Sequence, residues 1–205
     1  MGPRLSERAT PVPRDADGDA ALIAASLHDT ESFGLLFDRH APAIFRYAAR
    51  RLGPAAADDL VAETFLVAFG QRHGYDPARG DARPWLYGIA TNLIGQHRRR
   101  ELRFFRAIAR TGVDPAAEPV ADQVTDRVAA QAVGRALAAA IAGLSRDQRD
   151  VLLLTASGLG YGETAQALGI PVGTVSSRLV RARRKVREAL GGLNPAGAAE
   201  EGVWQ

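Results

Sequence analysis

The stretch from Gly158 to Leu190, GLGYGETAQALGIPVGTVSSRLVRARRKVREAL, limits the fold of this chain more tightly than any other. It reads as two helices joined by a tight turn. The first runs about Tyr161 to Leu168, and Gly169 supplies the left-handed residue that ends a helix at little cost. Ile170-Pro171 forces an extended step, because the residue before a proline avoids the helical region. The second helix restarts near Val172 and stops at Gly191-Gly192. Its apolar residues are Val175, Leu179, Ala182, Val186 and Leu190, which fall on one helical stripe. Six basic residues between Arg178 and Arg187 cover the rest, against the single acid Glu188. A small polar nose, Gly173, Thr174, Ser176 and Ser177, precedes them. A short helix, a glycine turn and a basic second helix make a helix-turn-helix, whose second helix fits a major groove. A solvated basic face on an ordinary amphipathic helix is the plain alternative, and the turn spacing argues against it.

The remaining segments also read as helices. One covers about Asp19 to Leu27, and another follows a possible cap at Thr30 and runs to Leu52, with Pro42 inside it as an expected kink. Pro54 suits the first turn of a third, roughly Ala55 to Gln71, with Phe37 and Leu66 counted among the apolar residues of this pair. Asp58, Asp59 and Glu63 cluster on the third helix, and charge compensation at a helix start would account for them simply. The loop HGYDPARGDAR leads into a fourth helix from Pro84 to about Arg110. It is apolar first (Trp85, Ile89, Ala90, Leu93), then abruptly basic from Arg98. Tyr75 reads as exposed on that loop, and Asn92 stands out among apolar neighbours. Later helices are expected at about Thr125 to Ala142 and after a capping box, Ser145-x-x-Gln148. No segment shows strand alternation. The fold class is all-α: two small helical domains joined by an extended acidic linker.

Composition narrows the function. The chain has 205 residues with 46% apolar, enough for one large or two small cores. It has no cysteine, which excludes disulfides and thiolate metal sites and suits a reducing cytoplasm. No apolar run has membrane-spanning length, and the N-terminus does not resemble a signal peptide. His28, His40, His73 and His97 show no metal-ligand spacing, and no cofactor or nucleophile motif is present. The chain is therefore not expected to be an enzyme. Net charge is only +3, but bases cluster at Arg98 to Arg110 and Arg178 to Arg187. Thr111 to Val124 between them carries acids and no base. This asymmetry points to a nucleic-acid partner.

Three stretches carry a family resemblance: DDLVAETFLVAF from Asp58, PWLYGIATNLIGQHRRR from Pro84, and GIPVGTVSSRLVRARRKVREAL from Gly169. In this order and spacing they resemble a bacterial RNA polymerase sigma factor of the extracytoplasmic-function (ECF) group, over about Ala20 to Leu190. Prolines and mixed charge make 1–18 read as a disordered N-terminus, and alanine and glycine make 194–205 read as a flexible tail. The resemblance implies region 2 over 19–106, a linker over 107–124 and region 4 over 125–193. Region 2 would dock on core polymerase through Asp58, Asp59 and Glu63. It would also open the minus-10 element, with Tyr75 and Asn92 holding an unstacked base and Arg98, Arg99 and Arg100 gripping the backbone. Region 4 would read the minus-35 element through Ser177 and Arg181, with apolar contact from Val180. Thr174, Ser176, Arg178 and Arg184 would take phosphates. The linker acids Asp114, Glu118 and Asp122 would lie in the polymerase's RNA channel. The partners implied are the two largest core subunits, promoter DNA and an anti-sigma protein, with no membrane insertion.

The sequence departs from the family pattern at two places. Gly160-Tyr161-Gly162-Glu163 stands where members show Ser-Tyr-x-Glu, so the capping serine is missing. Val180 stands where an aromatic or an arginine often lies, so base preferences do not carry over. A helix-turn-helix regulator that binds duplex DNA alone, as a symmetric dimer, is the other reading. It leaves the acidic helix and PWLYGIATN without a role.

Overall fold

The computed structural model describes residues 18–112 and 124–191, with side chains described throughout except at 124–129. The linker acids Asp114, Glu118 and Asp122 lie outside the described residues, as do the expected N-terminal segment and tail. The described residues are helical with short connections. The helices are α1 (Asp19–Ala25), α2 (Ser32–Leu52), α3 (Pro54–Gln71), α4 (Arg83–Gln96), α5 (Arg98–Thr111), α6 (Val124–Gly143), α7 (Arg146–Ala156), α8 (Tyr161–Leu168) and α9 (Val172–Leu190). Two single 3-10 turns, Arg72–Gly74 and Pro77–Arg79, carry the loop before α4.

Several ends form as the sequence dictates. Ser145 Oγ accepts from the Gln148 N–H at 3.3 Å, and the Gln148 side chain accepts from the Ser145 N–H at 3.4 Å, closing the capping box. At α8 only half a box is possible: Glu163 accepts from the Gly160 N–H at 2.6 Å. Gly169 takes φ 63°, the left-handed turn before the second helix of the motif. Other ends differ. The expected cap Thr30 gives way to Asp29, whose carboxylate accepts from the Glu31 N–H at 3.1 Å and the Ser32 hydroxyl at 3.0 Å. The single long helix expected from Pro84 is two helices, broken at His97 (φ −90°, ψ 21°) where the apolar half meets the basic half. α2 continues through Pro42.

Gly53, between α2 and α3, has φ 87° and lies against the Phe104 ring, where a Cβ would come within 3.0 Å. Only glycine suits both demands. The tight α2–α3 corner it permits brings the apolar faces of the two helices together. Leu36, Ile44, Tyr47, Leu60, Phe65, Leu86 and Ile94 fill the core between α2, α3 and α4. The helix-turn-helix has a much smaller core of its own: Val151, Ala165, Val175 and Leu179, with Leu152, Leu168 and Ile170 at its margin. Leu154 and Leu159, from α7 and the turn after it, are buried instead in the α2–α4 core. α8 packs directly on α4, and α6 runs beside α5.

Candidate nucleic-acid interface

On α9 the stripe Val175, Leu179 and Ala182 is buried, as its spacing predicts, and this fixes what faces outward. Ser177, Val180, Arg181 and Arg184 are all exposed, Val180 at 60%. Ser177, Arg181 and Arg184 follow at steps of four and three, so they form one row on the side opposite the core. Thr174 and Ser176 are half-buried near the helix start, and Ser177 Oγ donates to the Thr174 carbonyl at 3.1 Å. Arg178 differs from its neighbours: it is paired with Asp147 of α7 at 2.7 Å. Arg184 lies 3.7 Å from Glu188 with both side chains largely in solvent, a pairing that holds it weakly. The row therefore offers hydroxyl, methyl and guanidinium groups to a groove, and it needs no rearrangement of the core.

On α3 the three acids are exposed. The helix begins at Pro54, so Asp58 and Asp59 lie beyond its first turn, where the helix dipole acts most. Charge compensation therefore explains them poorly. Leu66, counted from the sequence among the apolar residues, is 71% exposed, and Phe37 of α2 is 41% exposed. Between α2 and α3 a cleft of about 420 Å³ is lined by Phe37, Ala41, Pro42, Phe45 and Val61, with Asp38 and Asp58 at its edge. An acidic rim around an apolar floor suits a helix with an apolar row and basic flanks. The sequence carried this signal in one place: Leu66 and Glu63 are neighbours of opposite character on one helix face.

The expected minus-10 residues are not gathered into one pocket. Tyr75, which reads as exposed in the sequence, is buried at 8% beneath Trp85, with ring centroids 5.0 Å apart. Its hydroxyl finds no hydrogen-bond partner, and burial raises its pKa. The turn Arg72–Gly74 folds the tyrosine inward, which loop composition does not reveal. Asn92 is exposed and lies about 10 Å along α4 from Trp85. Arg98, Arg99 and Arg100 are exposed at the start of α5, and Arg103, Arg106 and Arg110 extend the basic surface along the same helix. The last three line a groove of about 940 Å³ against Ala139, Ala142 and Gly143 of α6. Trp85, expected as core, is only half-buried and covers Tyr75.

Asp19, His40 and Asp81 bring ligand-type atoms within 4.8 Å of one another. The Asp19 carboxylate is already committed, however. It accepts from Arg39 at 2.6 Å, His40 Nε2 at 2.7 Å and the Ala82 N–H at 2.9 Å. Burial alone would raise its pKa, but the hydrogen bonds from His40, Ala82 and Arg39 outweigh that and hold it well below the usual carboxylate range. A guanidinium seated on the carboxylate opposes a divalent cation. The group instead fastens α1 to α2 and to the loop before α4.

A second polar cluster escaped the sequence reading entirely. Arg51, Glu101, Arg149 and Asp150 are all buried. Arg51 donates through Nε to Glu101 at 2.6 Å and through Nη2 to Asp150 at 2.5 Å. Arg149 donates to the other Glu101 oxygen at 3.0 Å and to the carbonyls of Ile141, Ala142 and Leu144. Tyr47, bonded to Thr91 at 2.8 Å, takes a further Arg51 N–H at 2.6 Å. Burial lowers and the facing Tyr47, Glu101 and Asp150 raise the Arg51 pKa, with the raising effect dominant, so it stays charged.

Comparison with known proteins matches residues 36–104 to Sigma-70 region 2 and residues 134–186 to Sigma-70, region 4. The ECF RNA polymerase sigma factor SigC of Mycobacterium tuberculosis is 35% identical over 173 residues, covering 82% of this chain and 90% of SigC. SigL of the same species is 38% identical over 177 residues, covering 84% of this chain and 98% of SigL. Among solved structures, CnrH in complex with the cytosolic domain of CnrY is similar, with TM-score 0.61 and 29% identity, over 86% of this chain and 99% of that one. The sigma factor RpoE in complex with the anti-sigma factor NepR from Bartonella quintana is also similar. Its TM-score is 0.53 at 25% identity, over 80% of this chain and 97% of that one.

Proposed function

Because the chain belongs to the ECF group of RNA polymerase sigma factors, which direct polymerase to promoters without catalysing a reaction, we propose that its two halves divide promoter recognition between them. The observation that carries this reading is the exposed row on α9, held away from the core by Val175, Leu179 and Ala182. Entering the major groove of the minus-35 element, Arg181 donates to a base edge, Ser177 bonds beside it and Val180 makes apolar contact. Thr174, Ser176, Arg178 and Arg184 meet phosphates and set the register. Arg178 exchanges Asp147 for phosphate when it does so.

At the minus-10 element a base leaves the stack, at a cost of a few kcal/mol. Asn92 and the α5 arginines are exposed for this task, Arg98, Arg99 and Arg100 on the backbone and Asn92 on a base edge. Tyr75 contributes a stacking face only after Trp85 moves aside, which makes the Tyr75–Trp85 pair the element that must rearrange. The acidic α3 face, Asp58, Asp59 and Glu63 with the adjoining cleft, takes a helical surface of core polymerase. CnrH and RpoE were each solved with a partner, CnrY and the anti-sigma factor NepR. The same apolar cleft is where an anti-sigma protein would exclude polymerase from this chain. Such a role places the protein in the bacterial cytoplasm. Among the described residues no helix is long and apolar enough to cross a membrane. The linker acids Asp114, Glu118 and Asp122 suit the positive channel that holds RNA. Their replacement by lysine is expected to alter abortive synthesis, and unchanged abortive products would remove that role.

The whole reading is tested by in-vitro transcription with core polymerase over a promoter library, with and without this protein. Start sites that appear only with the protein and share two spaced elements support it. Tight duplex binding by a dimer without polymerase would favour the stand-alone regulator.

A further inference from the structure

α9 holds its arginines in two different ways. Arg184 lies in the outward row, 3.7 Å from Glu188 of its own helix, with both side chains largely in solvent. Arg178 lies about 100° around the helix from Ser177, on the flank that faces the start of α7. Its guanidinium meets the Asp147 carboxylate at 2.7 Å, and only 28% of its side chain is exposed. About two turns further along the same flank, Lys185 donates to Gln148, the next residue of α7, at 3.3 Å. The first turn of α7 therefore sets the orientation of this flank, and it does so with an acid at Arg178.

Asp147 has a plain reason to be where it is. It lies in the first turn of α7, just after the Ser145 cap, where an acid complements the helix dipole. That reason does not account for the pairing. The dipole asks only for an acid near the helix start. This carboxylate also occupies a base that the second helix of the motif would otherwise offer to DNA.

The pairing limits what α9 gains from a duplex. Arg184, held weakly, meets a phosphate at almost no cost. With Ser177 and Arg181 at base edges, the flank carrying Arg178 lies against the groove wall, where backbone phosphates pass. To meet one, Arg178 has to give up Asp147, so one anion replaces another and the net gain is small. The exchange is open to it, because 57% of the Asp147 side chain is already in solvent and the acid is not stranded.

We propose that Asp147 governs the strength of the upstream contact: it competes with promoter phosphate for Arg178 and keeps the grip of α9 weaker than that helix could make it. Asp147 needs no contact with a base. It acts through Arg178, as a positioning residue. A moderate grip suits a contact that polymerase breaks when it leaves the promoter. This deepens the minus-35 reading above and rests on it.

The sign of the effect separates this role from a structural one. A pair that merely braced α7 against α9 would weaken promoter binding when broken. Here Asp147→Asn should tighten it by about fivefold, measured with holoenzyme assembled at saturating protein on a duplex carrying both promoter elements. Arg178→Ala should cost no more than about twofold in the wild-type background and about tenfold in the Asp147→Asn background, because only there does the arginine give its full contribution. Circular dichroism melts check that each variant is folded. Binding that is weaker or unchanged in Asp147→Asn would overturn the proposal. Equal costs of Arg178→Ala in the two backgrounds would also overturn it, since Asp147 would then act only as a bare charge near the duplex. A second duplex, scrambled only at the upstream element, separates this failure from that of the minus-35 reading. Wild-type holoenzyme that binds the scrambled and intact duplexes equally well defeats that reading and the proposal with it. A clear preference for the intact duplex, alongside equal costs in the two backgrounds, defeats the proposal alone.

Discussion

The two halves of this sigma factor solve the burial problem differently. The α2–α4 bundle of region 2 has a broad core in which Leu36, Ile44, Leu86, Ala90 and Ile94 are fully buried. The helix-turn-helix of region 4 packs a small cluster of its own, Val151, Ala165, Val175 and Leu179, and lends Leu154 and Leu159 to the other half. A small motif that keeps one face of α9 exposed has little apolar surface left to bury. Region 2 can therefore act as a self-sufficient platform, while region 4 depends more on each core side chain it has. Leu179→Ala tests that dependence. The side chain is 1% exposed, so its loss should cost about 2–5 kcal/mol. Amide exchange should show α7 to α9 losing protection while α2 to α4 keep theirs. Protection lost equally in both halves would mean that the two cores unfold as one unit.

Single faces also differ in charge, α3 acidic and α9 basic, and the next largest effect should come from the acidic face. If core polymerase meets α3 with a basic surface, as proposed, Asp59→Arg with Glu63→Arg should weaken core binding by about 100-fold. Both residues are exposed, so the melting temperature should move little. A pull-down and a titration with core polymerase read the first effect, and calorimetry reads the second. Unchanged core affinity would make α3's acids mere solvated surface.

On the basic side the effects are smaller and should split by role. Arg181→Ala should cost roughly 1–3 kcal/mol and relax choice at one or two base pairs. Arg184→Ala should weaken all promoters alike and reduce the salt slope by about 1. Binding of both variants across a set of promoter mutants distinguishes them. A uniform loss from each would erase the distinction between reader and phosphate ligand.

Much of this was legible in the sequence because it is local. The α9 stripe of Val175, Leu179 and Ala182, the Ser145 box and the Gly169 turn depend on neighbours within four residues, and those expectations hold. What the sequence hid depends on distant partners. Arg51 and Arg149 look like surface bases until Glu101 and Asp150, far along the chain, close around them. Leu66 and Phe37 count with the apolar core in the sequence, yet they lie outside the face on which α2 and α3 pack, at 71% and 41% exposed. Tyr75 illustrates the reverse case. A polar, glycine-rich loop predicts exposure, but the 3-10 turn before it delivers the ring under Trp85.

The smallest expected effect concerns how α1 is attached to region 2, a contact for which region 4 has no counterpart among the described residues. Asp19 is 7% exposed and its carboxylate receives Arg39, His40 and the Ala82 N–H. Its pKa in the folded protein is held below the unfolded value of about 3.9. The charged form is therefore the one the fold favours. Its contribution is fully present above about pH 4 and is lost as pH falls toward the folded value. Asp19→Asn keeps the shape and removes the charge. With Arg39 partly in solvent, the loss should be no more than about 1 kcal/mol and confined to α1. Exchange of α1 amides should be faster in the variant at neutral pH, and opening free energies for the two proteins should converge as pH drops below about 4. Equal exchange of the α1 amides in the two proteins at neutral pH would mean that the Ala82 N–H and packing of Leu22 and Ile23, not the charge, hold α1 in place.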